Sequence, residues 1–148
     1  MYKGLKVSVV IPCFNEEHGI AAVLKSMPEY VDQVVVVDNN STDETGRIAR
    51  ELGAEVIFET RKGYGNAYKA GFPRATGDII ATADGDGTYP THSIGDIIDY
   101  MLANKLDFVS ASRFPAQILP KGGSTGKTGR WTVRPCHGST RGKDLRGR

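Results

Sequence analysis

Two carboxylates stand on either side of a glycine at Asp84-Gly85-Asp86. They follow the apolar run DIIATA at residues 78–83 and precede the turn sequence Thr88-Tyr89-Pro90. Two hard oxygen donors so close together suit Mg²⁺ or Mn²⁺. Proteins hold these cations through one or two carboxylates, and substrate phosphates complete the coordination. An Asp-x-Asp also arises in ordinary solvated turns. Its place just past a buried-strand pattern is what favours the metal reading.

Two further polar clusters follow apolar runs in the same way. Pro12-Cys13-Phe14-Asn15-Glu16 comes after KVSVVI, and Asp38-Asn39-Asn40-Ser41 comes at the end of QVVVVD. For Asp38 two readings stand: a strand end that starts an Asx turn, or an acceptor for a base or ribose. Glu16 is either an acid in the first turn of a helix, where the dipole favours it, or a ligand contact. Arg61-Lys62-Gly63-Tyr64-Gly65-Asn66 reads as a turn before a helix, or as backbone N–H groups and cations that admit a phosphate. Arg113 ends another apolar run. It is an exposed structural arginine or a bidentate phosphate clamp.

Other motifs are set aside. Gly122 to Gly129 reads GGSTGKTG, but Lys121 stands where a P-loop needs glycine and no strand precedes it. Cys136-His137 lacks the further ligands of a zinc site. His18 and His92 read as surface or capping residues.

These clusters need elements to hold them. Residues 6–11 predict a buried strand ended by Pro12, and residues 33–38, with four valines, predict one covered on both faces. Residues 55–58, 78–83 and 108–112 are three more strands. Between them, Ile20, Val23, Leu24 and Met27 share a helical face closed by Pro28. Ser41 and Glu44 match a capping box ahead of a helix through Ile48 and Leu52, stopped by Gly53. Residues 64–75 predict a helix that Gly65, Gly71 and Pro73 weaken. Ile94, Ile97, Ile98, Met101 and Leu102 give the last helical face. Alternating strands and helices imply an α/β fold with a mainly parallel, right-handed sheet. In such folds ligands bind at the carboxyl ends of the strands, where all three clusters lie.

The chain has 148 residues, 39% apolar and 24% charged, which is ordinary for one soluble domain. Charge is divided unevenly: residues 1–114 carry a net −5 and residues 115–148 a net +7. The ordered domain is expected at residues 4–114. Residues 115–148 are a Gly/Arg-rich tail with little to bury, expected to be loose or disordered. Cys13 and Cys136 make no disulfide framework, so a reduced, cytoplasmic chain is the default. No signal peptide precedes the first strand, and no apolar run approaches the roughly 18–20 residues of a membrane span. The basic tail could meet an anionic membrane or nucleic acid, but disordered surplus sequence is the favoured reading.

Taken together, VSVVIPCFNEE, VVVVDNNSTDET, KGYGNAYKAG, ATGDIIATADGDGTYP and DFVSASRF resemble family 2 glycosyltransferases of the GT-A type, in that family's order, over about residues 6–114. Within it they look most like the dolichyl- or polyprenyl-phosphate sugar transferases. The resemblance implies a GT-A (Rossmann-like) sheet flanked by helices. It further implies an inverting transfer of a sugar from a UDP- or GDP-linked donor to an acceptor such as a polyprenyl phosphate. Such work belongs to cell envelope glycan biosynthesis, at or near the cytoplasmic face of the membrane, with peripheral membrane contact and no nucleic acid partner. Pro12, Phe14 and Glu16 match the segment lining the nucleotide, and Val37 and Asp38 begin the next. Asn39 stands where relatives often have a second acid. Lys62 and Gly63 join the donor contacts. Asp84 and Asp86, with Gly85 between them, match the metal and diphosphate motif, and Arg113 an arginine that reaches the donor. After Phe114 the resemblance stops, as a truncated or out-of-frame end would look.

Two alternatives are kept: a truncated or degenerate domain that binds nucleotide-sugar without turnover, and a sugar nucleotidyltransferase. A nicotinamide-dependent oxidoreductase is disfavoured, because PCFNEE stands where G-x-G-x-x-G is required.

Overall fold

The computed structural model describes residues 1–112 and 132–135. The chain divides into two units, residues 1–94 and 95–148. The first holds four parallel strands: β1 (Val7–Cys13), β2 (Gln33–Asp38), β3 (Glu55–Phe58) and β4 (Ile79–Thr82), in the order β3-β2-β1-β4. Three helices connect them: α1 (Ile20–Lys25), α2 (Thr45–Glu51) and α3 (Tyr64–Gly71), the last continued by a 3₁₀ turn at Phe72–Arg74. Helix α4 (Ile94–Ala103) begins where the units divide. In the second unit β5 (Val109–Ser112) pairs antiparallel with β6 (Thr132–Pro135).

The buried valines explain the layering. Val35, Val36 and Val37 of β2 are fully buried, as are Val9, Val10 and Ile11 of β1. Neighbouring residues in a strand face opposite sides, so both faces of the sheet are covered. One face, Val10, Val35 and Val37, packs against Ala67 of α3. The small residues of α3 set that distance. A methyl group on Gly71 would lie 2.6 Å from Val10 Cγ1 and 2.7 Å from Val37 Cγ2. Gly71 therefore weakens the helix locally but lets it sit close on the sheet. α2 contacts β2 and β3 and packs on α1, with Ile20, Val23 and Ala49 buried.

Several local expectations change. β1 does not end at Pro12 but runs through it to Cys13. Val10 O accepts from Ala83 N on the β4 side, and Cys13 O accepts from Asn39 N on the β2 side. Alternate residues of a parallel strand point to alternate neighbours, so Pro12 faces the β4 side. Pairing there has already ended at Val10 and Thr82, and no donor is missed. The capping box is absent: Glu44 caps α2 without a side-chain bond, and Asp43 Oδ1 instead accepts from Thr45 N at 3.0 Å and from Thr45 Oγ1 at 2.5 Å. α3 stops at Gly71, short of residue 75. The fifth expected strand, β5, joins an antiparallel pair, and its partner comes from the Gly/Arg-rich stretch. Four residues, Thr-Val-Arg-Pro, carry too little apolar pattern to reveal a strand in isolation.

The loops at the carboxyl ends are tied to one another. Asn15 Oδ1 accepts from Thr42 N at 2.8 Å, Asn15 N donates to Ser41 Oγ at 3.0 Å, and Glu16 N donates to Thr45 Oγ1 at 2.8 Å. Asn15 and Asn40 adopt positive φ values of 57° and 64°, which asparagine tolerates. Past β3, the buried Glu59 accepts from Arg61 Nε at 3.0 Å, Arg61 Nη2 at 2.9 Å and Arg61 N at 2.8 Å. The Arg61 guanidinium, with the backbone donor, holds the Glu59 carboxyl down at about 2.

Two outcomes are expected. Gly71→Ala gains about 1 kcal/mol of helix propensity but meets stiff valine methyls, an overpacking cost of about 1–3 kcal/mol. Urea unfolding should show a net loss of stability, and a gain would mean that α3 does not sit so close. Because the folded value of Glu59 lies below its ordinary 4.5, its contribution is complete above that pH and is lost as pH falls towards 2. Glu59→Gln should therefore flatten the fall in stability between pH 4.5 and 2, measured by urea unfolding across that window.

Candidate functional site

The crevice lies where the strand order reverses. β1 connects outward to β2 and β3, whereas the chain returns through α3 to place β4 on the other side of β1. The two strands part after Val10 and Thr82, and open α/β sheets bind ligands at such a switch point. A cavity of about 390 Å³ opens there, lined by Pro12, Cys13, Phe14, Glu16, Asn39, Lys62, Gly63, Tyr64, Ala67, Asp84, Gly85 and Asp86. The segments after β1, β2, β3 and β4 thus all reach it.

Glycines wedge the acidic loop into place. A methyl group on Gly85 would lie 2.5 Å from Cys13 Sγ, and one on Gly19 would lie 2.6 Å from Gly85 O and 3.0 Å from Asp86 Cα. The Asp84-Gly85-Asp86 backbone therefore sits between the end of β1 and the start of α1. Each acid is then held through one oxygen. Asp84 Oδ1 accepts from Tyr64 Oη at 2.5 Å, and Asp86 Oδ1 accepts from Thr88 N at 2.8 Å. The second oxygen of each carries no hydrogen bond among the described residues.

The field in the cavity is negative. Among the described residues, three acids line it, against the single cation Lys62. Burial, then the charges of Asp86, Asp43 and Asp84, raise the Glu16 carboxyl above its ordinary range. Burial and the neighbouring carboxylates Glu16 and Asp38 push the Cys13 thiol up to about 12, so it stays protonated. Lys62 Nζ lies 5.1 Å from the centre of the half-exposed Phe14 ring, a cation–π contact at the rim.

Asn39 lines the cavity, yet its amide is committed to the chain beneath. Nδ2 donates to Glu59 O at 3.1 Å and Arg61 O at 2.8 Å, while Oδ1 accepts from Gly63 N at 2.8 Å. Gly63 has φ 122°, a conformation reserved for glycine, and it starts α3. Val37 and Asp38 do not line the cavity. Val37 is fully buried beneath α3. Asp38 is 8% exposed, and its Oδ1 accepts from Ser41 N at 2.9 Å. A methyl group on Gly46 would lie 2.5 Å from Asp38 Oδ2, so that oxygen is pressed against α2. Asp38 thus braces the loop that follows its strand, three residues on. Arg113, Cys136, His137 and GGSTGKTG lie outside the described residues. His18 and His92 are exposed. Tyr64 and Ala67 join the cavity without having been singled out from sequence. For Tyr64, the aromatic spacing Tyr64, Tyr68, Phe72 on a helix was the available signal.

Known proteins share this pattern. The profile of glycosyl transferase family 2 matches residues 8–141. Protein RfbJ of Shigella flexneri is 36% identical over 115 residues, covering 76% of this chain and 89% of that protein. A dolichyl-phosphate hexose transferase of Haloferax volcanii is 34% identical over 120 residues, covering 78% of this chain and 52% of the relative. The crystal structure of glucosyl-3-phosphoglycerate synthase from Mycobacterium tuberculosis with Mn²⁺, uridine diphosphate and glucosyl-3-phosphoglycerate superposes with a TM-score of 0.56 at 29% identity. It covers 70% of this chain and 40% of that one. Apart from RfbJ, the chain spans about half the length or less of these relatives. With the profile matching most of its length and the parallel sheet in agreement, the chain belongs to glycosyl transferase family 2.

Proposed function

We propose that this chain forms the donor site of an inverting glycosyltransferase that takes a sugar from a nucleoside-diphosphate sugar. The carrying observation is the acid-lined crevice between β1 and β4, with Asp84 and Asp86 at one wall and Phe14 and Lys62 at the rim. A diphosphate entering this cavity alone would bring its own charges against Glu16, Asp84 and Asp86. A divalent cation resolves the conflict. No group of three or more metal-ligating side chains occurs among the described residues. Two carboxylates, each with one unengaged oxygen, still suit Mg²⁺ or Mn²⁺, whose remaining positions go to phosphate and water. Bound there, the cation would neutralise the charge that develops on the departing diphosphate. A neighbour crystallised with Mn²⁺ and uridine diphosphate supports a cation and favours UDP over GDP.

The chain's own residues would bind and orient. Phe14 would offer a face for the base and Glu16 a carboxyl near the ribose, and Pro12 lines the same cavity. Lys62 and Gly63 would meet the diphosphate, Lys62 by charge and Gly63 by close backbone approach. Asp84 and Asp86 would hold the cation, and Arg113 would add a second positive charge. In the reaction an acceptor oxygen attacks the anomeric carbon from the face opposite the nucleotide. The bond from that carbon to the diphosphate oxygen breaks, and its electrons leave with the nucleoside diphosphate. A phosphate acceptor is already ionised at neutral pH and needs no base to attack. The dolichyl-phosphate relative supports a lipid phosphate, which would bring the reaction to a membrane surface, on the cytoplasmic side in this reading. Among the described residues no helix is long and apolar enough to cross a membrane.

Calorimetric titration of UDP, GDP and their sugar conjugates into the full chain, with and without Mn²⁺, tests this reading. One nucleotide should bind only with the metal, and Asp86→Asn should weaken it by about 100-fold or more, beyond the loss from outer-shell changes. Metal-independent binding, or binding indifferent to Asp86→Asn, would refute it. Donor binding without transfer to any polyprenyl phosphate would instead favour a binding domain without turnover.

A further inference from the structure

Asp86 and Asp84 are held by different means. Asp86 is fixed inside its own loop by Thr88 N. Asp84 is fixed across the cavity by a side chain of another element, the phenol of Tyr64. That phenol is itself held: Tyr68 Oη donates to Tyr64 Oη at 3.0 Å, and the two rings meet edge-on, 4.8 Å apart at 85°. Tyr68 in turn stacks on Phe72 at 5.0 Å. Successive residues are four apart, so the three rings share one side of α3 and its continuation. The helix start is anchored by Asn39 through Gly63 N, and its underside by Ala67 and Gly71 on the sheet. A hydroxyl that receives one hydrogen bond donates a stronger one, and a carboxylate acceptor strengthens it further.

We infer that Tyr64, backed by Tyr68, is a positioning residue that fixes the Asp84 carboxylate through Oδ1 and leaves Oδ2 for a divalent cation. The inference rests on reading this cavity as the metal–diphosphate donor site. Ligating carboxylates usually have such outer hydrogen bonds, and losing one typically costs 10- to 100-fold in metal affinity. Tyr64→Phe keeps the ring and removes only the donor. A plug would behave in the opposite way: a phenol that must leave before the cation arrives would weaken metal binding, and its removal would strengthen it.

The test is Mn²⁺ titration of the full chain with saturating UDP, followed by the electron paramagnetic resonance of free Mn²⁺, with thermal midpoints recorded alongside. Tyr64→Phe is expected to raise the Mn²⁺ dissociation constant about tenfold with the thermal midpoint unchanged. Tyr68→Phe should give a smaller loss in the same sense, and it keeps the test usable if Tyr64→Phe fails to fold. Mn²⁺ affinity within twofold of the original in both variants, or tighter binding in either, overturns the proposal. Asp84→Asn separates the two levels. If it abolishes Mn²⁺ binding while both tyrosine variants bind Mn²⁺ within twofold of the original, only the role of Tyr64 falls. If Mn²⁺ does not bind, or binds indifferently to Asp84→Asn, the donor-site reading falls and takes this inference with it.

Discussion

The parting of β1 from β4 is the constraint on which the rest of the site depends. Up to Val10 and Thr82 the two strands share a ladder of hydrogen bonds. Beyond that point Pro12 can offer no donor towards β4, and β1 continues paired only with β2. A sheet that stayed zipped would leave no room for a ligand between the two carboxyl ends. Because it opens there, the residues after β1 and those after β4 become opposite walls of one cavity, and Gly85 lets the walls meet at the base against Cys13.

Rigid placement of that cavity comes from side chains of one loop bonding to the backbone of the next. Asn15, Thr45 and Asp43 bind the loops after β1 and β2 together. Asn39 binds the loop after β2 to the loop after β3, and Tyr64 carries the link to β4. Loops so braced need less ordering when a ligand arrives, which is how a site on loops can still be preorganised. The same bracing gathers acids that repel one another. Burial, with their mutual field added, raises Glu16 and Cys13, and the gathered charge leaves the cavity suited to a ligand that brings positive charge with it.

Membership of glycosyl transferase family 2 fits this architecture, since the matched residues take in β2, β3, β4 and all of β1 after Val7. The chain covers about half or less of most of its relatives.

Much was legible in the residues themselves. The valine runs of β1 and β2 dictate buried strands because alternating faces must both be covered, and β2 and β3 fall where their patterns place them. The polar clusters follow from the same logic, being what comes after each apolar run. Tertiary structure alone decided which cluster residues turn inward. Asp38 looks like a ligand contact by position, but the close approach of Gly46 and the bond from Ser41 N hold its carboxylate against α2. Asn39, beside it, became a brace. Tyr64 met Asp84, 20 residues on, through a helix crossing that no local pattern specifies. Local sequence sets which faces are apolar and where strands end, since these depend on neighbours in the chain. The direction of a polar side chain depends on which backbone donors and small residues arrive from elsewhere, and only the folded arrangement brings them there.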